Sequence, residues 1–178
     1  SKFSMVESRW DSDYRSIGIM KDQGKPNLLI AASGTGGHLF PALAVAEELT
    51  EYHIQWLGVP TRLETKLVPS CYPLTTVNIQ GFQKRFLGSA GVLLRLPPAI
   101  LKVVSLIKKH RIQAVFTTGG YISAPALIAA KLCGIRAIIH DSNAIPGKVT
   151  SWLSRWCQTV ALGFSSAAQF FPPDKTVW

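Results

Sequence analysis

The stretch Ser33-Gly34-Thr35-Gly36-Gly37-His38 places three glycines and a histidine directly after the apolar run Asn27–Ala32. Glycines let backbone N–H groups approach an anion without obstruction, and a helix entered just afterwards adds the positive end of its dipole. A neutral imidazole at that edge can take up a proton, and an imidazolium can pair with phosphate. Two further polar clusters also close apolar runs: Thr118-Gly119-Gly120-Tyr121 and His140-Asp141-Ser142-Asn143. Together they describe an anion cradle with acid–base groups at hand. The plainer alternatives are a ligand-free strand-to-helix turn for the loop and a simple turn residue for His38.

The glycine loop matches neither common nucleotide motif. A dinucleotide fingerprint needs a third glycine where Leu39 stands, and a P-loop needs lysine where His38 follows Gly37. A free-standing nucleotide-binding Rossmann-like enzyme is therefore the weaker reading.

The elements that must position these loops are short and regular. Asn27–Ala32, Ile54–Leu57, Leu74–Ile79, Ala114–Thr118, Arg136–His140 and Thr159–Leu162 read as strands. Helices are expected from Pro41 through Leu49, over Ser123–Cys133 with Gly134 as its stop, and from about Lys148 to Trp156. Strands alternating with helices imply βαβ units, hence an α/β fold: a Rossmann-like parallel sheet with helices on both faces. Ligands of such sheets bind outside the carboxyl ends of the strands, where all three polar loops fall.

The 178 residues suffice for one domain with a substantial core, and 47% hydrophobic with 16% charged content excludes a disordered chain. Cys71, Cys133 and Cys157 are widely spaced and read as reduced, partly buried thiols. The net charge of +9 is uneven, since no acidic residue occurs between Glu64 and Asp141. Such a one-signed interval attracts anions. Residues 1–26 read as a flexible N-terminal extension without a signal peptide, and residues 27–178 as the folded domain. The uncharged run 112–130 holds Thr117-Thr118-Gly119-Gly120 and Pro125, which suit strand, turn and helix better than a membrane span. The closing Lys175-Thr176-Val177-Trp178 reads as a strand just beginning, so further chain is expected beyond it.

Taken in order, Gly34-Thr35-Gly36-Gly37-His38 with Phe40-Pro41, Thr118-Gly119-Gly120-Tyr121 and His140-Asp141-Ser142-Asn143 resemble the MurG family of glycosyltransferases. Trp56-Leu57-Gly58, Glu64 with Leu67-Val68-Pro69, and Asn143 four residues before Gly147 support the likeness, which runs from about Asn27 to Trp178. The resemblance implies the N-terminal, acceptor-side half of a two-domain GT-B enzyme. Its family transfers GlcNAc with inversion from UDP-GlcNAc to the C4 hydroxyl of undecaprenyl-pyrophosphoryl-MurNAc-pentapeptide in peptidoglycan synthesis. UDP-GlcNAc is a co-substrate held mainly by a C-terminal domain absent here, and no other cofactor and no metal is implied. Asp11-Ser12-Asp13 spells DxD but lies in the tail, so no metal site is assigned.

Carried over, Gly34, Thr35, Gly36 and Gly37 with Gly119, Gly120 and Tyr121 would cradle the acceptor's diphosphate. His38 is the leading acid–base candidate. Asp141 is the second catalytic candidate, standing where the family usually has Glu with its carboxylate drawn back by one methylene. Its alternative is to orient His140 or the loop. Asn143 matches a position facing the donor sugar, with capping of a helix near Gly147 as its alternative. A non-catalytic membrane-anchoring subunit of a split glycosyltransferase is the competing class, but it would not need His38, Asp141 and Asn143.

Gly81 to Arg111 mixes apolar and basic residues without an acid, including Phe82, Lys84, Arg85, Phe86, Leu87 and Arg95. Apolar groups beside cations are the ingredients of binding to an anionic membrane surface; the alternative is an amphipathic helix on the sheet with a solvated basic face. Nucleic acid is not an expected partner, because aromatics do not interleave with the basic residues. The lipid-linked acceptor implies a peripheral place on the cytoplasmic face of the bacterial inner membrane. The chain should therefore sediment with anionic vesicles at low salt and be released as salt rises. Absence of sedimentation at low salt would rule the membrane contact out.

Overall fold

The computed structural model describes residues 24–68, 72–79 and 90–178. Residues 1–23 of the expected extension, Asp11-Ser12-Asp13, Cys71, and the membrane candidates Phe82, Lys84, Arg85, Phe86 and Leu87 lie outside the described residues.

Among the described residues seven strands form one sheet: β1 (Asn27–Ala31), β2 (His53–Gly58), β3 (Leu74–Thr76), β4 (Ala114–Thr117), β5 (Arg136–Asp141), β6 (Thr159–Leu162) and β7 (Thr176–Val177). Their spatial order is β3-β2-β1-β4-β5-β6-β7, and every neighbouring pair is parallel. The chain winds outward from β1 to β3, then returns to lay β4 on the other side of β1. The order of winding reverses between β1 and β4, and a crevice opens at the carboxyl ends of strands at such a point.

The helices are α1 (Gly36–Glu48), α2 (Glu64–Leu67), α3 (Ala90–Lys109), α4 (Ser123–Cys133) and α5 (Lys148–Leu153), the last continued by a 3-10 turn over Ser154–Trp156. Alternation along β1 sends Leu28 and Ile30 to one face and Leu29 and Ala31 to the other, as the pleat requires. Leu28 and Ile30 join Leu39, Ala42 and Ala46 of α1, with Trp56 and Phe116, in one core. Leu29 and Ala31 join Val103 and Ile107 of α3, Leu127 of α4 and Leu153 of α5 in the other. Both faces are thus covered, which explains the near-continuous apolar strands.

Strands β1, β2 and β4 differ from the expected bounds by one residue at one or both ends, and three further boundaries differ as follows. Helix α1 starts at Gly36 rather than Pro41, because the Thr35 carbonyl accepts from both His38 N (3.1 Å) and Leu39 N (3.1 Å) and closes a turn ahead of the proline. His38 therefore belongs to a helix's first turn and not to a loose loop. Strand β3 ends at Thr76, since its partner β2 ends at Gly58; one more bond, from Val77 N to the Gly58 carbonyl (2.9 Å), is all that follows. Strand β5 runs one residue further, to Asp141, whose register partner is Leu162. The closing segment does form a short strand, β7, and it pairs with β6. Helix α4 stops at Gly134 in the left-handed conformation (φ 67°), the cap its sequence announced.

Cys133 is half-buried and free. Cys157 is fully buried, and burial pushes its thiol up to about 12 against the opposing pull of Lys175. Among the described residues no helix is long and apolar enough to cross a membrane. Helix α3 carries Arg95, Leu101 and Lys102 as exposed residues above the buried Ala99, Val103, Leu106 and Ile107. Its described part is thus an amphipathic helix packed on the sheet.

Candidate functional site at the carboxyl edge of the sheet

The loops after β1, β4 and β5 meet where the winding reverses. The loop after β1 delivers His38, third residue of α1, against the end of β4. His38 Nδ1 donates to the Thr118 carbonyl (2.8 Å), and Thr118 Oγ1 donates back to the His38 carbonyl (2.7 Å). A carbonyl can only accept, so the neutral imidazole must carry its proton on Nδ1 and keep a lone pair on Nε2. The pair fixes ring position and tautomer together, leaving Nε2 as the basic nitrogen.

Gly119 and Gly120 then pass beside the ring, at φ of 88° and 77°. A Cβ on Gly120 would lie 3.7 Å from His38 Nε2, and one on Gly119 would sit 3.2 Å from Thr150 Oγ1 and 3.8 Å from His38 Cε1. Glycine is needed here for the left-handed backbone, and its bareness keeps the space over Nε2 clear. Thr150, buried on α5, brings the third loop region into the same crevice.

Thr35 caps α1 in extended conformation without a side-chain bond to the helix, and the first turn holds no acidic residue. The positive end of α1 is therefore not neutralised by its own side chains, which suits an anion. A cavity beside it is lined by Gly34, Val59, Arg62 and Tyr121 among others. Six of the expected cradle residues lie in the two facing loops, with Tyr121 on the wall between them.

Buried side chains also bond across the edge of the sheet. Thr117 Oγ1 donates to the Ala31 carbonyl (2.7 Å) and Trp56 Nε1 to the Ala32 carbonyl (3.1 Å). These bonds tie β1 to both its neighbours immediately below the glycine loop.

Asp141 and Asn143 take up a different arrangement from the one expected of a base. Asp141 is 2% exposed, and its Oδ1 accepts from both Asn143 N (2.8 Å) and Asn143 Nδ2 (2.8 Å). Its carboxylate shapes the loop after β5, which is the alternative reading of this residue, rather than standing ready for a substrate proton. Asn143 is exposed and does not cap α5, whose N-cap is Gly147. One amide hydrogen of Asn143 is committed to Asp141, while its carbonyl oxygen can still accept.

His140 precedes Asp141 on β5, with Nδ1 buried and without a hydrogen-bond partner among the described residues. Burial lowers its pKa, opposed by the Asp141 carboxylate and reinforced by His38. A neutral His140 leaves any positive charge arriving on His38 unopposed from that side.

Two residues were missed as site residues by sequence reasoning. Arg62 brings a cation to the cavity wall through a loop whose Thr61 holds φ 65°, a strained value for a β-branched residue. Glu64, noted only as a supporting match, is 0% exposed; Oε1 accepts from Val59 N (2.7 Å) and Oε2 from Gly34 N (3.3 Å). Their common signal was a charged pair two residues apart just after an apolar strand that ends in glycine. Among the described residues no three His, Cys, Asp or Glu side chains gather into a metal-binding group.

The lowered pKa of His140 has a consequence for stability. Below its ordinary value of 6.5 the unfolded chain takes up a proton that the folded chain resists, so stability should fall as pH drops through that range. Thermal melts from pH 8 to pH 5.5 should show this loss, and His140→Gln should shrink it. An unchanged pH dependence in the variant would contradict the assignment.

The glycosyltransferase family 28 N-terminal domain matches residues 28–162. A protein of Gloeothece citriformis named UDP-N-acetylglucosamine--N-acetylmuramyl-(pentapeptide) pyrophosphoryl-undecaprenol N-acetylglucosamine transferase is 60% identical over 152 residues, covering 85% of this chain and 42% of its own length. One of the same name from Synechocystis sp. is 59% identical, covering 85% and 43%. The chain thus spans less than half the length of these relatives. Among solved structures, MurG of Acinetobacter baumannii superposes with a TM-score of 0.74 at 32% identity, over 85% of this chain and 45% of that one. A UDP-GlcNAc 2-epimerase from Methanocaldococcus jannaschii shares the fold alone, with a TM-score of 0.58 at 11% identity. The match over most of the chain, carried by the strands and loops described above, makes this protein a member of the glycosyltransferase family 28 N-terminal domain family.

Proposed function

We propose that the chain is the acceptor-binding half of a GT-B enzyme that transfers GlcNAc from UDP-GlcNAc to the C4 hydroxyl of undecaprenyl-pyrophosphoryl-MurNAc-pentapeptide. The observation that carries this reading is the fixed tautomer of His38 in a crevice lined by two glycine loops. The names of the relatives in Gloeothece and Synechocystis supply the substrates.

The chemistry asks three things of this half. The acceptor's diphosphate must be held, and the N-terminus of α1, Gly34, Gly36 and Gly37, Gly119, Gly120 and Tyr121 offer an anion site to which Arg62 adds a cation. The acceptor hydroxyl must lose its proton as it attacks. Nε2 of His38 takes that proton while the C4 oxygen bonds to C1 of GlcNAc, and UDP departs with the electron pair of the old C1–O bond. Attack from the face opposite the leaving group inverts the anomeric centre. Finally, the donor sugar must be oriented, for which the free amide oxygen of Asn143 is placed on the loop after β5. Asp141 acts through Asn143 and is a positioning residue.

UDP-GlcNAc would be held mainly by a second domain, in keeping with the share of the relatives' length that this chain spans. The enzyme would sit on the cytoplasmic face of the inner membrane as a peripheral protein, with the basic, apolar stretch around Phe82–Arg95 against anionic lipid and no nucleic acid involved.

In a form carrying the donor-binding half, His38→Ala should lower turnover by about 10²- to 10⁴-fold, the range for loss of a general base. Steady-state kinetics with a soluble acceptor analogue measures this. Near-normal turnover in a folded variant would reject His38 as the base.

A further inference from the structure

Beneath the glycine loop lies a carboxylate that the reaction does not consume. Glu64 is 0% exposed, and an ionised carboxylate out of water persists only when its lone pairs are bonded. It bonds on both sides: Oε1 to Val59 N at 2.7 Å, at the exit of β2, and Oε2 to Gly34 N at 3.3 Å, in the loop after β1. The pairing of β1 with β2 reaches only to Ala32, whose N donates to the Leu57 carbonyl (3.3 Å); Gly34 and Val59 lie beyond it. Gly34 is at φ 105°, and a Cβ there would meet nothing within 4 Å, so packing does not hold this residue in place.

The surroundings are built to admit the side chain. A Cβ on Gly58 would lie 2.6 Å from Glu64 Cγ and 2.9 Å from Oε1, so only glycine leaves room at the end of β2. Val68 N donates to the Glu64 carbonyl (2.8 Å), closing the single turn α2 over the same residue. The backbone of Glu64 is thereby fixed from behind while its carboxylate reaches forward beneath the loop. The turn also carries Arg62 to the wall of the cavity that Gly34 lines.

We propose that Glu64 is a positioning residue that fastens the glycine loop in its anion-receiving shape, presetting it for the acceptor's diphosphate. This rests on the acceptor reading above for the identity of the anion, but not for the fastening. A carboxylate accepts at both oxygens. The amide of Glu64→Gln accepts at one and, having satisfied Val59 N, turns a donor toward Gly34 N. The substitution keeps the volume and removes one bond.

Hydrogen exchange of the Gly34 and Val59 amides in the 178-residue chain, followed by NMR, reads the fastening directly. Titration with inorganic pyrophosphate reads its consequence. In Glu64→Gln, Gly34 exchange should quicken about tenfold or more while Val59 stays protected, and pyrophosphate should bind about tenfold more weakly with the melting temperature nearly unchanged. Gly58→Ala, which pushes on the same side chain from below, should move both readouts in the same direction. Wild-type exchange at Gly34 in a folded variant would overturn the proposal. So would a uniform loss of protection across the sheet, or unfolding of both variants, since Glu64 would then be part of the core's stability and not of the loop's shape. Should the wild-type chain ignore pyrophosphate while Gly34 still loosens in the variant, the acceptor reading falls and the fastening stands.

Discussion

The reciprocal hydrogen bonds between His38 and Thr118 hold the site together. Each residue donates a side-chain hydrogen to the other's carbonyl, at 2.8 and 2.7 Å, across 80 positions of sequence. The partners come together only because β4 returns beside β1, so the clamp and the reversal of winding are one constraint. It decides which ring nitrogen is basic, where the first turn of α1 sits, and how closely the second glycine pair can pass. Gly119 and Gly120 follow directly after Thr118, in the left-handed backbone (φ 88° and 77°) that favours glycine.

Around that clamp the carboxyl edge of the sheet is a buried polar layer whose bonds hold strand ends and loops in place. Thr117 and Trp56 hold the last carbonyls of β1 from either side. Glu64 holds the amide of Gly34 from below, and Asp141 holds Asn143. Burial keeps His140 from charging readily beside His38. Groups bonded in this way need little reorganisation when charge develops, which is the condition under which fixed dipoles are most effective. The price is a set of buried polar atoms that tolerate substitution poorly.

Much of this arrangement was legible in the residues. Apolar runs closed by glycines marked the strands, and a parallel sheet placed all three polar loops on one edge. Gly134 read correctly for a local reason: backbone freedom and helix capping act within a few residues. The start of α1 was misplaced because Pro41 is a strong local signal, whereas the turn that precedes it is closed by the Thr35 carbonyl. Asp141 was a catalytic candidate through the family position it matches, and its place at the end of β5 goes with burial, 2% exposed. Glu64 and Arg62 were passed over as site residues because their partners lie on other segments. Gly34 is 30 residues from Glu64, and no periodicity announces such a bond. The tautomer of His38 was beyond sequence reasoning for the same reason.

The fold itself makes His38 Nε2 the basic nitrogen. Long-range ¹H–¹⁵N correlation NMR of the chain, selectively labelled at histidine, tests this at a pH where the ring is neutral. The account predicts that His38 carries its proton on Nδ1, with Nε2 showing the shift of a lone-pair nitrogen, and that Thr118→Gly, which leaves the Thr118 carbonyl in place but removes the returning hydroxyl, loosens that preference. A His38 ring protonated on Nε2 would contradict it, for the nitrogen facing the crevice would then have no lone pair to receive a proton.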